Sequence, residues 1–182
     1  MAPRHPTSDR LLDAGLELGD DVGIANMSVG DITRRAGVAK GTFYVHFADR
    51  SAFLAELHGR FLDQLVAAIA GACDQQPPGV ERLHTGTEAY LDSCFASSGV
   101  KAVLFELRSE PSVQIETGRR MRDLAALVAA DLGRPDGSEG RLYAAMAQEV
   151  ALIELEGGAV DPEARASLHR LAALMATTKG PA

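Results

Sequence analysis

Cysteine is scarce in this chain. Its two cysteines, Cys73 and Cys94, fall in different helical stretches without metal-ligand spacing, which argues against a disulfide framework or a thiolate metal site. Reduced thiols, as in a cytoplasmic protein, are the expectation, with a redox couple between the two as the alternative. No apolar run is long enough to cross a bilayer, so no membrane partner is expected. Residues 1–7 are polar and lack the apolar core of a secretory leader; they read as a disordered tail, or alternatively as an arm in which Arg4 reaches a minor groove. Positive charge is also short: 18 Lys and Arg stand against 25 Asp and Glu, a formal net charge of −7. Bulk attraction to phosphate should therefore contribute only modestly to any affinity for nucleic acid. The chain has no nucleophile elbow, no His-Glu metal spacing, no glycine-rich phosphate loop and no clustered acid-base pair, so neither enzyme chemistry, metal nor cofactor is expected.

What the chain does have is helical punctuation. With 182 residues, 46% of them hydrophobic, it can bury a substantial core, as one large domain or as a small head fused to a larger body. Residues 28–47 read as two short helices joined by a tight turn. Ser28 can accept from the free amides one turn on and Asp31 can reach back, a capping box that starts the first helix. Ile32 and Ala36, four apart, face inward, with Arg34 and Arg35 toward solvent, and Gly37 supplies the left-handed position that stops the helix. Val38 plugs the corner, and Phe43 and Phe47 form the buried stripe of the second helix. That leaves Ala39, Lys40, Gly41, Thr42, Tyr44 and His46 on its open side: small residues for close approach, with hydroxyls and a cation for phosphate oxygens and base edges. Between Asp31 and Arg50 the cations Arg34, Arg35, Lys40 and Arg50 outnumber Asp31 and Asp49, so this segment is net positive within an acidic chain.

Upstream, residues 8–18 form an amphipathic helix with Leu11, Leu12, Leu16 and Leu18 on its apolar side, ended near Gly23. Downstream, Asp49 caps a long helix whose apolar period runs through Phe53, Leu57, Phe61, Leu65 and Ile69 until Pro77 and Pro78 end it. The first helix, residues 27–47 and the following Asp49-Arg-Ser-Ala-Phe-Leu54 together resemble the DNA-binding domain of the tetracycline-repressor (TetR) family, over roughly the first third of the chain. Four positions depart from that pattern: Gly19 replaces the usual aromatic, Gly15 falls mid-helix, Thr33 replaces alanine and Ala48 replaces a frequent lysine.

Beyond the prolines, helices are expected over residues 80–95, 100–110, 112–132, from the 133–138 loop to about 156, and from the Asp161-Pro162 cap to about 177, with no strand pattern between them. The resemblance implies an all-α fold of about nine helices. It divides into a three-helix helix-turn-helix DNA-binding domain over residues 1–50 and a C-terminal helical bundle over 51–182 for effector binding and dimerisation. It further implies DNA contacts from Ser28, Val29, Ala39, Lys40, Gly41, Thr42, Tyr44, His46 and Arg50. The last two helices carry apolar stripes, Leu142, Met146, Val150 and Ile153 on one and Leu168, Leu171, Leu174 and Met175 on the other, and the resemblance implies that they form a homodimer interface, the alternative being that they close the monomer's own core. An effector pocket is expected among the middle helices, with Tyr90, Cys94, Phe95, Leu104, Phe105, Arg108, Met121, Leu124, Leu127, Val128, Tyr143 and Gln148 as its candidate lining, although most of these would serve as plain core in any bundle. An apolar or weakly polar small molecule suits such a lining.

The function this implies is a cytoplasmic, ligand-responsive transcriptional regulator, most often a repressor. It would bind double-stranded DNA at a palindromic operator as a homodimer and leave it when an effector moves the long fourth helix. The alternative is an interaction protein that keeps the fold while its head no longer binds DNA.

Overall fold

The start of α1 is set by His5, whose ring Nδ1 accepts from the Thr7 amide at 3.3 Å, followed by Pro6 at the first helical position. A computed structural model describes residues 5–23, 26–96, 111–134 and 138–177, and within these the side chains of 20, 111–117, 120 and 121 lie outside the description. Helix α1 (Pro6–Val22) thus begins two residues earlier than its apolar period alone implies, because the cap is a histidine ring. Helix α2 (Val29–Arg35) carries the full capping box: the Asp31 amide donates to Ser28 Oγ at 3.2 Å and the Ser28 amide to Asp31 Oδ2 at 3.2 Å. Gly37 follows at φ +64, as a left-handed stop requires, and Arg10 of α1 reaches across to donate to the Ala36 carbonyl at 2.6 Å. Thr33 is buried, yet its hydroxyl is satisfied by the Val29 carbonyl at 2.9 Å, so the departure from alanine leaves no orphan group.

Helix α3 (Lys40–His46) is followed by α4 (Arg50–Ala72), which Asp49 caps by accepting from the Ala52 amide at 2.8 Å. Helix α4 stops before the two prolines, in a turn over residues 73–75 where Gln75 takes φ +60. The described residues then continue through α5 (Val80–Ala96), α6 (Pro111–Asp131), α7 (Glu139–Gly157) and α8 (Pro162–Thr177). Among the described residues there are therefore eight helices and no strand, an all-α fold; the helix expected over 100–110 lies outside them. No described helix is long and apolar enough to cross a membrane.

The described residues fall into two compact units, one holding residues up to 64 together with 111–116 and the other residues 65–96 and those from 117 on, so that α4 and α6 each pass from one unit to the other. The first buries Leu11, Leu12, Leu18, Met27, Ile32, Phe43, Phe47, Phe53 and Leu57 in one cluster. Gly15 is part of this packing. A Cβ there would sit 2.6 Å from Phe53 Cζ and 3.0 Å from Leu57 Cδ1, so α1 lies as close to α4 as it does because the position has no side chain. Arg60 of α4 ties the same pair of helices from outside, donating to Asp9 at 2.9 Å and Asp13 at 2.6 Å.

In the second unit α5 packs against α7 and α8, which pack against each other. Gly140 lets α7 meet α6, since a Cβ would fall on the Ala125 carbonyl and on Ala129. Arg165 of α8 joins three helices. Its guanidinium holds both oxygens of Glu154 on α7 at 2.6 and 2.8 Å and reaches Glu88 at 2.6 Å and Asp92 at 2.7 Å on α5. The Asp161 amide adds a bond to Glu154 at 3.0 Å.

Gly15→Ala should gain about 1 kcal/mol of helix propensity and lose about 1–3 kcal/mol to overpacking against Phe53, for a net destabilisation. A lower denaturant midpoint at unchanged m is the expected result, and an unchanged or higher midpoint would mean the ring cluster yields. Arg165→Met leaves Glu154, 1% exposed, without its cation; the second unit should lose about 3–5 kcal/mol, measured by the same titration.

Candidate functional site

Two arrangements stand out, one in each unit. In the first, Phe43 and Phe47 anchor α3: their ring centroids lie 5.3 Å apart, and Phe53 of α4 meets them at 5.3 and 5.0 Å. With that stripe turned inward, the opposite side of α3 is presented to solvent. Ala39, Lys40 and Gly41 are exposed, Tyr44 is 54% exposed, and Thr42 and His46 are half-buried. The rings of His46 and His5 meet at 5.0 Å, tilted by 39°, which places the cap of α1 beside the end of α3. Val45, 79% exposed, belongs to the same face and was missed in the sequence because an apolar residue there reads as core. Its phase, four residues after Gly41, was the available signal. A branched apolar side chain on such a face suits the thymine methyl group in a major groove.

The charges are arranged differently from their count. Arg34 pairs with Asp31 at 2.7 Å, and the donors from Ser28 and Arg34 hold the Asp31 carboxyl below its ordinary range. Arg35 turns to α1, where Asp21 at 2.6 Å and Glu17 at 3.3 Å hold its guanidinium charged. Arg50 donates through Nε to the Met27 carbonyl at 3.3 Å, bracing the loop ahead of α2. Lys40 has no acidic partner among the described residues. Of the remaining predicted contacts, Ser28 is exposed and engaged as a cap, while Val29 is half-buried and packs against the head core.

In the second unit a cavity of about 400 Å³ opens between the C-terminal stretch of α4 and helices α5, α6 and α7. Tyr90, Leu124, Leu127, Val128, Tyr143 and Gln148 line it, as the sequence reading has them. Cys94 and Phe95 do not; Cys94 is buried. Leu104, Phe105 and Arg108 lie outside the described residues, as does the side chain of Met121. Sequence reasoning did not find Cys73, Arg82, Thr87 and Asp131, which also line the cavity. Arg82 and Asp131 form one ion pair, with Nε 2.8 Å and Nη2 2.5 Å from Asp131 Oδ1. Thr87 donates to the Leu83 carbonyl at 2.7 Å and lies 3.1 Å from the Tyr143 hydroxyl.

Burial pushes the Tyr90 and Tyr143 phenols above their ordinary range and the Cys94 thiol up to about 12, and burial together with Asp131 raises Cys73. All four groups are neutral and protonated near pH 7, so the wall holds no activated thiolate. No group of His, Cys, Asp and Glu side chains among the described residues is placed to hold a metal ion.

Residues 11–57 match the family of bacterial regulatory proteins, tetR family. The chain is 31% identical over 91 residues to the HTH-type transcriptional repressor DhaR of Mycobacterium sp. (strain GP1), covering 50% of this chain and 46% of that protein. It is 29% identical over 104 residues to the HTH-type transcriptional activator FasR of Mycolicibacterium smegmatis, covering 57% of this chain and 48% of that protein. The matches thus span less than half the length of these curated relatives. In fold, the chain is similar over its whole length to the multidrug binding protein EbrR, whose crystal structure was determined with imidazole, at a TM-score of 0.77 and 17% identity across 100% of both chains.

Tyr44→Ala and Lys40→Ala should each weaken binding to a duplex selected by the wild-type protein by at least about tenfold, or 1.4 kcal/mol. Thermal unfolding should stay within about 0.5 kcal/mol of wild type, as for exposed positions generally. Loss of folding in either variant would show that these side chains are core rather than contact face.

Proposed function

We propose, from the match of residues 11–57 to bacterial regulatory proteins of the tetR family, that the chain is a homodimeric, ligand-responsive transcriptional repressor acting at a palindromic operator. The observation that carries this reading is the double use of α4. Phe53 and Leu57, near its start, belong to the core that seats α3, while Val66, Ile69 and Ala70, further along the same helix, form a wall of the cavity. A small molecule that displaces that wall acts on a helix continuous with the seat of the reading helix. Affinity for DNA then falls by as much as the effector prefers the displaced state.

Each head would set Lys40, Gly41, Thr42, Tyr44 and Val45 against base edges. Ser28, Ala39, His46 and Arg50 lie along the backbone-facing margin, with Val29 supporting the start of α2. One such helix reads only a few base pairs, so specificity calls for two heads about 34 Å apart along one face of the duplex. The last two helices supply a means of pairing. On α7 and α8, Leu142 at 57% exposure and Leu174 at 61% stand open with Ile153 and Leu171, whereas Val150 and Leu168 of the same stripes are buried. Apolar side chains left open in this way are suited to a second copy of the chain. The likeness to DhaR supports repression, and the apolar cavity supports an apolar or weakly polar effector.

Sedimentation equilibrium of the full chain should give a dimer, and the double variant Leu142→Glu, Leu174→Glu a folded monomer. Because each head contributes only half of the operator contacts, the monomer should bind the selected duplex at least about a hundredfold more weakly. A double variant that remains dimeric would remove the pairing from these helices.

A further inference from the structure

The cavity sorts ligands by hydrogen-bond direction. Resting on the reading of this cavity as the effector site, we infer that it takes a neutral, largely apolar molecule carrying a hydroxyl donor, such as a phenol, which donates to the oxygen of Tyr143.

The polarity of the Tyr143–Thr87 contact follows from its end point. The Leu83 carbonyl can only accept, so the Thr87 hydroxyl proton, 2.7 Å away, is committed to it. At the 3.1 Å contact between the two hydroxyls Thr87 must then accept, and Tyr143 is the donor. The Tyr143 proton is therefore used inside the protein, and what its oxygen has left to offer is lone pairs. Tyr143 thus lines the cavity as an acceptor, and Tyr90 adds a second phenol to the wall.

Anions are disfavoured by the same wall. Arg82, the cation in the lining, is bound twice by Asp131, and Asp131 also accepts from the Gly79 amide at 3.2 Å, just ahead of α5. A carboxylate that took Arg82 would have to break this pair and leave Asp131, itself nearly buried, uncompensated. The rest of the surface is apolar, with Val66, Ile69, Leu83, Leu124 and Val128 prominent, and a volume of about 400 Å³ suits a compact ring-containing molecule. A carbonyl or ether oxygen would meet the Tyr143 oxygen lone pair to lone pair, whereas a hydroxyl would complete the chain to Thr87 and Leu83.

Calorimetric titration of the full-length protein with 4-phenylphenol, 4-methoxybiphenyl and biphenyl-4-carboxylate tests this, because the three share one skeleton and differ in donor, acceptor and charge. The expected result is that 4-phenylphenol binds at least about tenfold tighter than the other two. Tyr143→Phe should bring the phenol to the affinity of its methyl ether and leave the ether unchanged. Equal or tighter binding of the ether or the carboxylate by the wild-type protein would overturn the donor assignment while leaving the cavity as an effector site. A phenol preference that survives in Tyr143→Phe would overturn the role of Tyr143. If no member of the series binds the folded protein, the cavity is not the effector site and the functional reading it rests on falls with it.

Discussion

The rings of Phe43, Phe47 and Phe53 meet at centroid distances of 5.0 to 5.3 Å, and the placement of α3 follows from that contact. A helix of seven residues has little stability of its own. Two of its side chains, four apart, must be fixed by tertiary packing for the helix to exist and for its opposite face to point outward. Phe53 provides the surface on which they lock, and Gly15 provides the space that Phe53 occupies. The open positions Lys40, Tyr44 and Val45 are thus defined by residues buried beneath them. Because Phe53 is on α4, the seat of the reading helix is also the beginning of the helix that ends at the cavity.

Charge in this acidic chain is used mostly for structure. Arg10 closes the end of α2, Arg35 holds α2 to α1, Arg60 holds α1 to α4, and Arg165 gathers three carboxylates from two other helices. Little free cation remains on the reading face. Lys40 and the exposed Arg34, which can exchange Asp31 for a phosphate, are the groups in reach. Few neutralised phosphates mean a shallow salt dependence for one head and weak non-specific binding. In the proposed complex, discrimination would then rest on base-edge contacts multiplied by two-fold symmetry.

Most of the head was legible because its signals are local. The Ser28–Asp31 box, the left-handed Gly37, the Asp49 cap and the four-residue spacing of Phe43 and Phe47 each depend on a few neighbouring residues, and the structure places all of them as read. What was not legible is tertiary. Gly15 looks like a weak point in a helix until the ring it faces is known, and Arg35 looks solvent-directed until α1 brings Glu17 and Asp21 to it. In the cavity, Tyr90, Leu124, Tyr143 and Gln148 line it as read, whereas Cys94, one turn after Tyr90 and read as lining with it, is buried and does not, a distinction that helical phase alone could not make. Arg82 and Asp131 come from helices joined only by the fold, so no spacing in the sequence announced their pair. Val45 was hidden by the ordinary rule that apolar residues point inward.

The central claim is that two identical heads read one symmetric site. Selection of bound duplexes from a random pool, with the purified full chain at moderate salt, tests it most directly. The account predicts enrichment of a two-fold symmetric motif whose half-site centres lie about one helical turn, or a multiple of it, apart. Failure to enrich any motif from a folded, dimeric protein, or enrichment of a single asymmetric half-site, would contradict it.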